Sequence, residues 1–357
     1  MKNVKSINLI KLAGAYVAFM IGSGFASGQE IMQFYTSFGK MSIFAILVSM
    51  VIFAWSSSAF MKFGYDFKEK LSGGEYQRYC GKYLGKFYEI FAVVLLLGVV
   101  VIMISGSGAT FNEYYGLPYM VGTGLMAIVI YITYIFGLRR LVNIIGAIGP
   151  VIIVFTILVG IITLAKNGFS LNGVDETIAE IGMAKSTSNW FVSAILYCSY
   201  NTFGSVIFLN ALGAQEGNTR EEASLGGIIG AALFMTSAFV MNLAFLGNIE
   251  EVGTLAIPTL YLAGKIAPAL GVLFSIVLIL GIYSTATPMA WSVCDRFVKE
   301  GTMQSKIFGA VFMLIAFFGG QLPFGMLVGT IYPYSGYLGI LLFVCLAIYQ
   351  FRNKKSN

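Results

Sequence analysis

Histidine is absent from this chain of 357 residues, which removes the usual proton shuttle and the base of most hydrolytic triads. Charge is scarce too. Asp, Glu, Lys and Arg make up 11% of the residues, where a soluble chain carries about a quarter. No polar stretch is long enough to fold as a separate soluble domain. The four cysteines, Cys80, Cys198, Cys294 and Cys345, show no CxxC spacing and no extracellular pair, so neither a structural metal nor disulfides are expected. Cys80 falls in a basic loop on this reading. With no metal-ligand cluster and no nucleophile–base pair visible, an enzyme is not expected.

Hydrophobic residues fill the space that charge leaves. They reach 58%, in long runs that recur along the whole chain, which marks a membrane protein. With about 20 apolar residues as the measure of a span, ten helices are expected near 8–36, 41–61, 88–112, 119–137, 141–165, 188–213, 224–246, 270–296, 304–320 and 325–350. The stretch 254–268, "TLAIPTLYLAGKIAP", is amphipathic and too short to cross, so it is expected to lie over one face. The first 30 residues have the lysines, apolar run and small residues of a signal peptide. The pairing described below nevertheless requires them as the first helix.

The formal charge of +6 does not point to nucleic acid, because the basic residues sit at the ends of apolar runs. With ten spans and the N-terminus inside, 18 of the 22 lysines and arginines fall on the inner side, and only Lys40, Lys166, Lys185 and Lys265 fall outside. That bias follows the positive-inside rule and predicts a multi-pass protein with both termini in the cytoplasm; a bacterial cytoplasmic (inner) membrane is what the resemblance given below implies.

The ten segments pair at a constant offset of roughly 180 residues, and Pro150 and Pro333 recur 183 residues apart in the fifth helix of each half. Five helices per half is an odd number, so the second half enters from the opposite side. A five-plus-five inverted repeat follows, an architecture of secondary transporters. The expected organisation is a first repeat over 1–168, an external connection over 169–187, and a second repeat with a cytoplasmic tail over 188–357.

Two of the paired segments carry interruptions. In the first, Gly22, Ser23, Gly24, Phe25, Ala26, Ser27 and Gly28 place three glycines in seven positions, and Glu30 follows inside the apolar run. In the sixth, "LYCSYNTFGS" places Tyr197, Ser199, Tyr200, Asn201, Thr202 and Gly204 at the matching depth. Unwound backbone at mid-membrane is tolerated only where it lines a protein cavity, and paired interruptions mark a substrate site. The plainer alternative is that Gly24 and Gly28, spaced by four, only allow close helix packing. Glu30 is the most deeply placed charge and costs roughly 2.5 kcal/mol or more in the bilayer. It can pair with a substrate amine, carry a proton, or anchor the break structurally. Ser105 and Ser107, among glycines of the third helix, are further substrate-site residues on this reading, with packing as the equal rival. Tyrosines such as Tyr332, Tyr334 and Tyr337 mostly belong to interface belts and packing.

The string "IGSGFASGQEIMQF" resembles the first helix of the bacterial YkvI-type membrane proteins. Through them the whole chain resembles the amino acid–polyamine–organocation superfamily and its LeuT fold. The resemblance implies discontinuous helices 1 and 6, and it matches Gly22-Ser23-Gly24 to the superfamily's Gly-x-Gly break. It also implies a sodium site between the first and eighth helices. "LGIYSTATP" supplies Gly281, Ser284 and Thr285, and alignment of the break assigns the carbonyls of Ala18 and Ile21. The rival account is that these hydroxyls re-satisfy carbonyls freed by Pro288. Together these readings predict a secondary transporter of a small organic solute, an amino acid or related amine, driven by Na⁺ or H⁺ through alternating access. No cofactor is expected beyond a coupling ion. The alternative is a ligand-sensing receptor subunit on the same scaffold, as in spore-germinant receptors.

Overall fold

Two glycines cut the first apolar segment into three helices, α1 (Ser6–Met20), α2 (Ser23–Ser27) and α3 (Gln29–Phe34). The computed structural model describes residues 5–67, 74–136, 142–299 and 301–354. Of the residues used in the charge argument, Lys2, Lys68, Lys70, Arg139, Arg140 and Lys355 lie outside them. After a 3₁₀ turn over Thr36–Phe38 come α4 (Met41–Asp66), α5 (Glu75–Tyr115), α6 (Tyr119–Phe136), α7 (Val142–Asn167) and the short α8 (Val174–Glu180). Next are α9 (Trp190–Gly213), α10 (Arg220–Leu246), α11 (Ile249–Val252) and α12 (Pro258–Ile266). The chain ends with α13 (Pro268–Phe297), α14 (Met303–Gly319) and α15 (Phe324–Lys354). Every regular element among the described residues is a helix, with no strand.

The first expected segment falls on α1, α2 and α3 and each of the other nine on a single helix, with the end positions 137 and 141 outside the described residues. Seven of the helices are long and apolar enough to cross a membrane, and Ser6–Met20, Val151–Asn167 and Met303–Gly319 are shorter apolar helices. The 254–268 stretch forms α12, which buries Pro258, Thr259, Leu260, Leu262 and Ala263 while its last turn carries Lys265. A one-sided apolar face of that kind is what an amphipathic helix offers a protein surface.

One boundary differs from expectation. The segment after α4 is shorter than the basic loop foreseen, because α5 starts at Glu75 and runs through Cys80. Gly81, with φ 77° and ψ 174°, breaks this helix into a short arm and a long one. Only glycine adopts that geometry without a Cβ clash. Cys80 therefore sits in a helical arm, and all four cysteines are free thiols.

Helices α1, α4, α9 and α10 form one bundle; α5, α6, α7, α13 and α14 form a second layer, and α15 spans from α9 to α5. Small residues set the closest crossings. A side-chain carbon at Gly213 would strike the Met61 carbonyl, and one at Gly64 would strike that of Asn210, so α4 and α9 meet backbone to backbone. Such approaches supply the van der Waals contact that drives helix association where lipid offers no hydrophobic advantage. Buried hydroxyls add polar ties: Ser57 donates to the Gly227 carbonyl (3.0 Å) and Tyr76 to that of Phe203 (2.8 Å).

The broken segment lies at the centre of this arrangement. α2 is in contact with α5, α7, α12 and α13, and every residue from Ser23 to Ser37 is buried.

Candidate functional site

The first break follows from the end of α1. Ile21 (φ −88°, ψ 98°) and Gly22 (φ −95°, ψ −176°) are extended, so the chain leaves the helix after Met20 and becomes helical again at Ser23. The carbonyls of Ala18 and Ile21 fall at this terminus, where the last four carbonyls of a helix lose their regular partners. The second break is Gly28, at φ 90°. A side chain there would also strike the Phe245 ring and the Thr259 hydroxyl. Ser27 stitches the two pieces together: its Oγ donates to the Gly24 carbonyl (2.9 Å) and accepts from the Gln29 amide (3.3 Å).

Glu30 is the second residue of α3 and is 4% exposed. Its side chain folds back across the break until the carboxylate lies against Gly24, in the space a Cβ there would occupy. Tyr197 donates to Glu30 Oε2 at 3.2 Å. The Tyr200 hydroxyl lies beside the same carboxylate, buried and without a bond of proper geometry. Around this pair stand aromatic rings. Phe34 and Tyr35 meet Tyr197 edge-on at 5.3 and 5.0 Å, and Tyr332 stacks on Tyr200 at 4.4 Å and 4°. The three salt bridges among the described residues, Lys40–Asp175, Arg220–Asp66 and Lys265–Glu251, all lie elsewhere. Glu30 thus has no cationic partner among the described residues.

Other polar atoms near the break also lack partners. Gln33 Oε1 and Thr259 Oγ1 are buried with none, Thr259 facing Gly28. With its amide oriented to satisfy both ends, Gln29 donates to the Leu255 carbonyl (3.1 Å) and accepts from Gln33 Nε2 (2.8 Å). Glu113 accepts from the Ala256 and Ile257 amides (2.7 and 2.9 Å), which pins the start of α12 to the end of α5. Native interiors leave few buried polar atoms unpaired, and a group of them at one place marks a site for a solute, an ion or water.

The sixth expected span departs from the sequence reading. α9 is a continuous helix from Trp190 to Gly213, with no unwinding at Ser199–Gly204. Its polar residues satisfy the helix instead of interrupting it. Ser199 donates to the Ile195 carbonyl (2.8 Å) and Asn201 to that of Tyr197 (3.1 Å), bonds back to the preceding turn that need no break. Thr202 also stays within the helix, its carbonyl accepting from Ser205 (3.1 Å). Ser199 is further enclosed by Gly339, where an added side chain would meet its carbonyl. Of this group, Tyr197 and Tyr200 reach the Glu30 carboxylate.

Ser105 and Ser107 make their hydrogen bonds to other partners than the broken segment. Ser105 bonds to Tyr119 and to the Leu322 carbonyl, and Ser107 to the Gly122 carbonyl (3.1 Å). They fasten α5 to α6 and to the turn before α15. On the same helix, Met103 meets α2, its sulfur accepting from Ser23 Oγ at 2.7 Å.

The expected sodium ligands are dispersed in their engagements. Ser284 donates to the Gly281 carbonyl in its own helix (2.9 Å), and Gly281 abuts Ile152 of α7. Thr287 donates to the Tyr283 carbonyl (2.7 Å), a bond back to the preceding turn, while no hydroxyl among the described residues donates to the Ser284 carbonyl that Pro288 frees, so the rival account is not borne out either. Thr285 makes no such bond among the described residues, while α13 does pack on α2.

Sequence reasoning passed over Gln33, Met103 and Thr259. The spacing of Gln29 and Gln33, four apart beyond Gly28, is a signal that places them on one helical face. Nothing local to Thr259 links it to a glycine 231 positions earlier.

No family model matches the chain. Two proteins of Bacillus subtilis (strain 168) are similar over nearly their whole length. The uncharacterized membrane protein YkvI is 25% identical over 337 residues, covering 92% of each chain, and the uncharacterized protein YyaD is 25% identical over 335 residues, covering 94% of this chain and 95% of its own. Among solved structures, a manganese transporter of Eremococcus coleocola superposes with a TM-score of 0.60 at 13% identity, covering 97% of this chain and 80% of that one. Inward-facing Mhp1 gives 0.57 at 13% (93% and 73%), and MhsT with L-phenylalanine gives 0.54 at 13% (98% and 98%). The chain is a multi-pass helical membrane protein whose homologues are of the YkvI and YyaD kind and whose fold resembles that of LeuT-fold transporters.

Proposed function

We propose that this protein is a secondary transporter that moves a small amine-bearing solute, an amino acid or a related amine, through the break in its first helix by alternating access. The observation that carries this reading is Glu30: a carboxylate in the protein centre, held by Tyr197, ringed by aromatics and given no cation by the rest of the described chain. An ionised carboxylate buried without a counter-ion is costly, and a structural role alone is better served by a neutral amide. The site therefore suits a cation that arrives and leaves. A substrate ammonium satisfies the carboxylate electrostatically and the tyrosine faces by cation–π attraction. A proton satisfies it by neutralisation.

Ten crossings in a five-plus-five inverted repeat, with both termini cytoplasmic, are part of the same proposal. Its supports are the placement of all ten segments on helices, the recurrence of positions 150 and 333 within α7 and α15, and the charge bias of the sequence. For coupling, the internal engagement of Ser284 with Gly281 favours H⁺ through Glu30, with Na⁺ at Ala18, Ile21, Gly281, Ser284 and Thr285 as the alternative. A lone carboxylate among hydroxyls and rings suits an organic cation or a proton better than a transition metal, which prefers several nitrogen, sulfur or carboxylate ligands.

The test is uptake in liposomes containing the purified full-length protein. Labelled amino acids and amines are offered under an imposed proton or sodium gradient. Accumulation above equilibrium for at least one of them is expected. Ligand-dependent thermal stabilisation with no flux under either gradient would replace transport by the receptor reading.

A further inference from the structure

A cleft lies away from the break, at the opposite end of the α4–α10 pair. It is a cleft of about 990 Å³ whose lining includes Trp55, Ala59, Phe63, Lys62, Arg220 and Leu346. No residue of α1, α2, α3 or α9 lines it, so it is separate from the proposed transport site. It exists because α4 and α15 do not meet backbone to backbone there. Long side chains bridge them instead: Trp55 Nε1 donates to Gln350 Oε1 (3.1 Å), and Phe63 and Tyr349 meet edge-on at 5.5 Å. Its neighbours Val51, Val344 and Phe351 present exposed apolar side chains, as residues that face lipid do.

The polar groups gather at one end of this otherwise apolar cleft. Arg220 grips Asp66 through Nε and Nη2 (2.8 and 3.0 Å), which leaves Nη1 outside the pair. Lys62, one turn before Asp66 on α4, has no hydrogen bond or salt bridge among the described residues. Among the described lining residues, two cations stand against one anion, an excess of one positive charge. Lysines near a helix end keep the ammonium at the headgroup level and the stem along apolar surface.

We propose that this cleft binds an anionic phospholipid, its phosphate on Lys62 and Arg220 and an acyl chain along Trp55, Ala59, Phe63 and Leu346. The charge at the mouth matches a single phosphodiester, and the apolar walls open towards lipid rather than towards a buried path. A soluble anion would use the mouth alone and leave those walls uncovered.

Trp55 provides the probe. The chain has three tryptophans, so Trp190→Phe with Trp291→Phe leaves Trp55 as the sole tryptophan, excited selectively above the tyrosine absorption. This full-length protein is placed in liposomes containing brominated phosphatidylglycerol or brominated phosphatidylcholine. Quenching is expected at about fivefold lower mole fraction of the anionic lipid, the effect of one basic side chain near the surface. Lys62→Gln should remove most of that preference, and Lys62→Arg should keep it. Unchanged quenching by brominated phosphatidylcholine shows that the Lys62→Gln protein is folded. If that control fails, native mass spectrometry of the wild type decides, by retention of phosphatidylglycerol over phosphatidylcholine from an equimolar mixture. Equal quenching by both lipids, a preference that survives Lys62→Gln, or no selective retention overturns the proposal. Loss of the preference on adding inorganic phosphate at constant ionic strength also overturns it, in favour of a soluble anion.

Discussion

The carboxylate of Glu30 rests against Gly24, in the volume that any side chain at position 24 would claim. The glycine before the second break is thus the seat of the charge that follows it. Substitution Gly24→Ala places a methyl in contact with that carboxylate and has to push it off the Tyr197 hydroxyl. It is expected to abolish uptake while costing about 1–3 kcal/mol of stability through overpacking. Uptake by Gly24→Ala equal to wild type, at equal expression, would show that the carboxylate position does not matter.

Gly28→Ala tests the break itself. A left-handed residue with a Cβ costs about 1–2 kcal/mol, and here the added atom also meets Phe245 and Thr259. The melting temperature should fall further than for Gly24→Ala. A Gly28→Ala protein as stable as wild type means that α2 and α3 join differently from the description above.

Glu30→Gln separates the roles of the carboxylate. An amine partner loses affinity by several kcal/mol, since its ammonium enters a site without a counter-charge. A proton carrier keeps binding but loses pH dependence and uphill accumulation. One of these two outcomes is expected. Wild-type affinity, pH profile and concentrative uptake, measured together on Glu30→Gln, would reduce the residue to a scaffold.

Sodium coupling is addressed at Thr285. If Na⁺ binds between α1 and α13, Thr285→Ala weakens sodium-dependent uptake well beyond its effect on expression. On the proton reading, uptake by both proteins is indifferent to replacing Na⁺ with choline at constant pH. Measurement of flux in the two salts distinguishes the ions directly.

Orientation can be read by cysteine labelling in a cysteine-free background. Lys185 and Lys306 are both exposed, and the charge bias puts them on opposite sides. An impermeant reagent applied to intact cells should modify Lys185→Cys and spare Lys306→Cys. The reverse pattern inverts the topology.

Much of this protein was legible locally. Apolar runs of span length located ten helical segments, and Gly22 and Gly28 located the break, because glycine and hydrophobic runs act through dihedral freedom and burial that depend on near neighbours. The amphipathic α12 was legible for the same reason. The polar cluster in α9 misled, because its serines and asparagine look like helix breakers in sequence but bond back to their own carbonyls. Whether a side chain breaks a helix or serves it depends on what packs against that face, here α15 through Gly336 and Gly339. The kink at Gly81 and the approach of Thr259 to Gly28 were also decided by packing between distant segments. The sequence by itself determined that a carboxylate stands beside a broken helix in a membrane. Only the tertiary structure decided that Tyr197 and Tyr200, rather than Ser105 or Ser199, meet it, since the facing of one helix on another is fixed by long-range contacts.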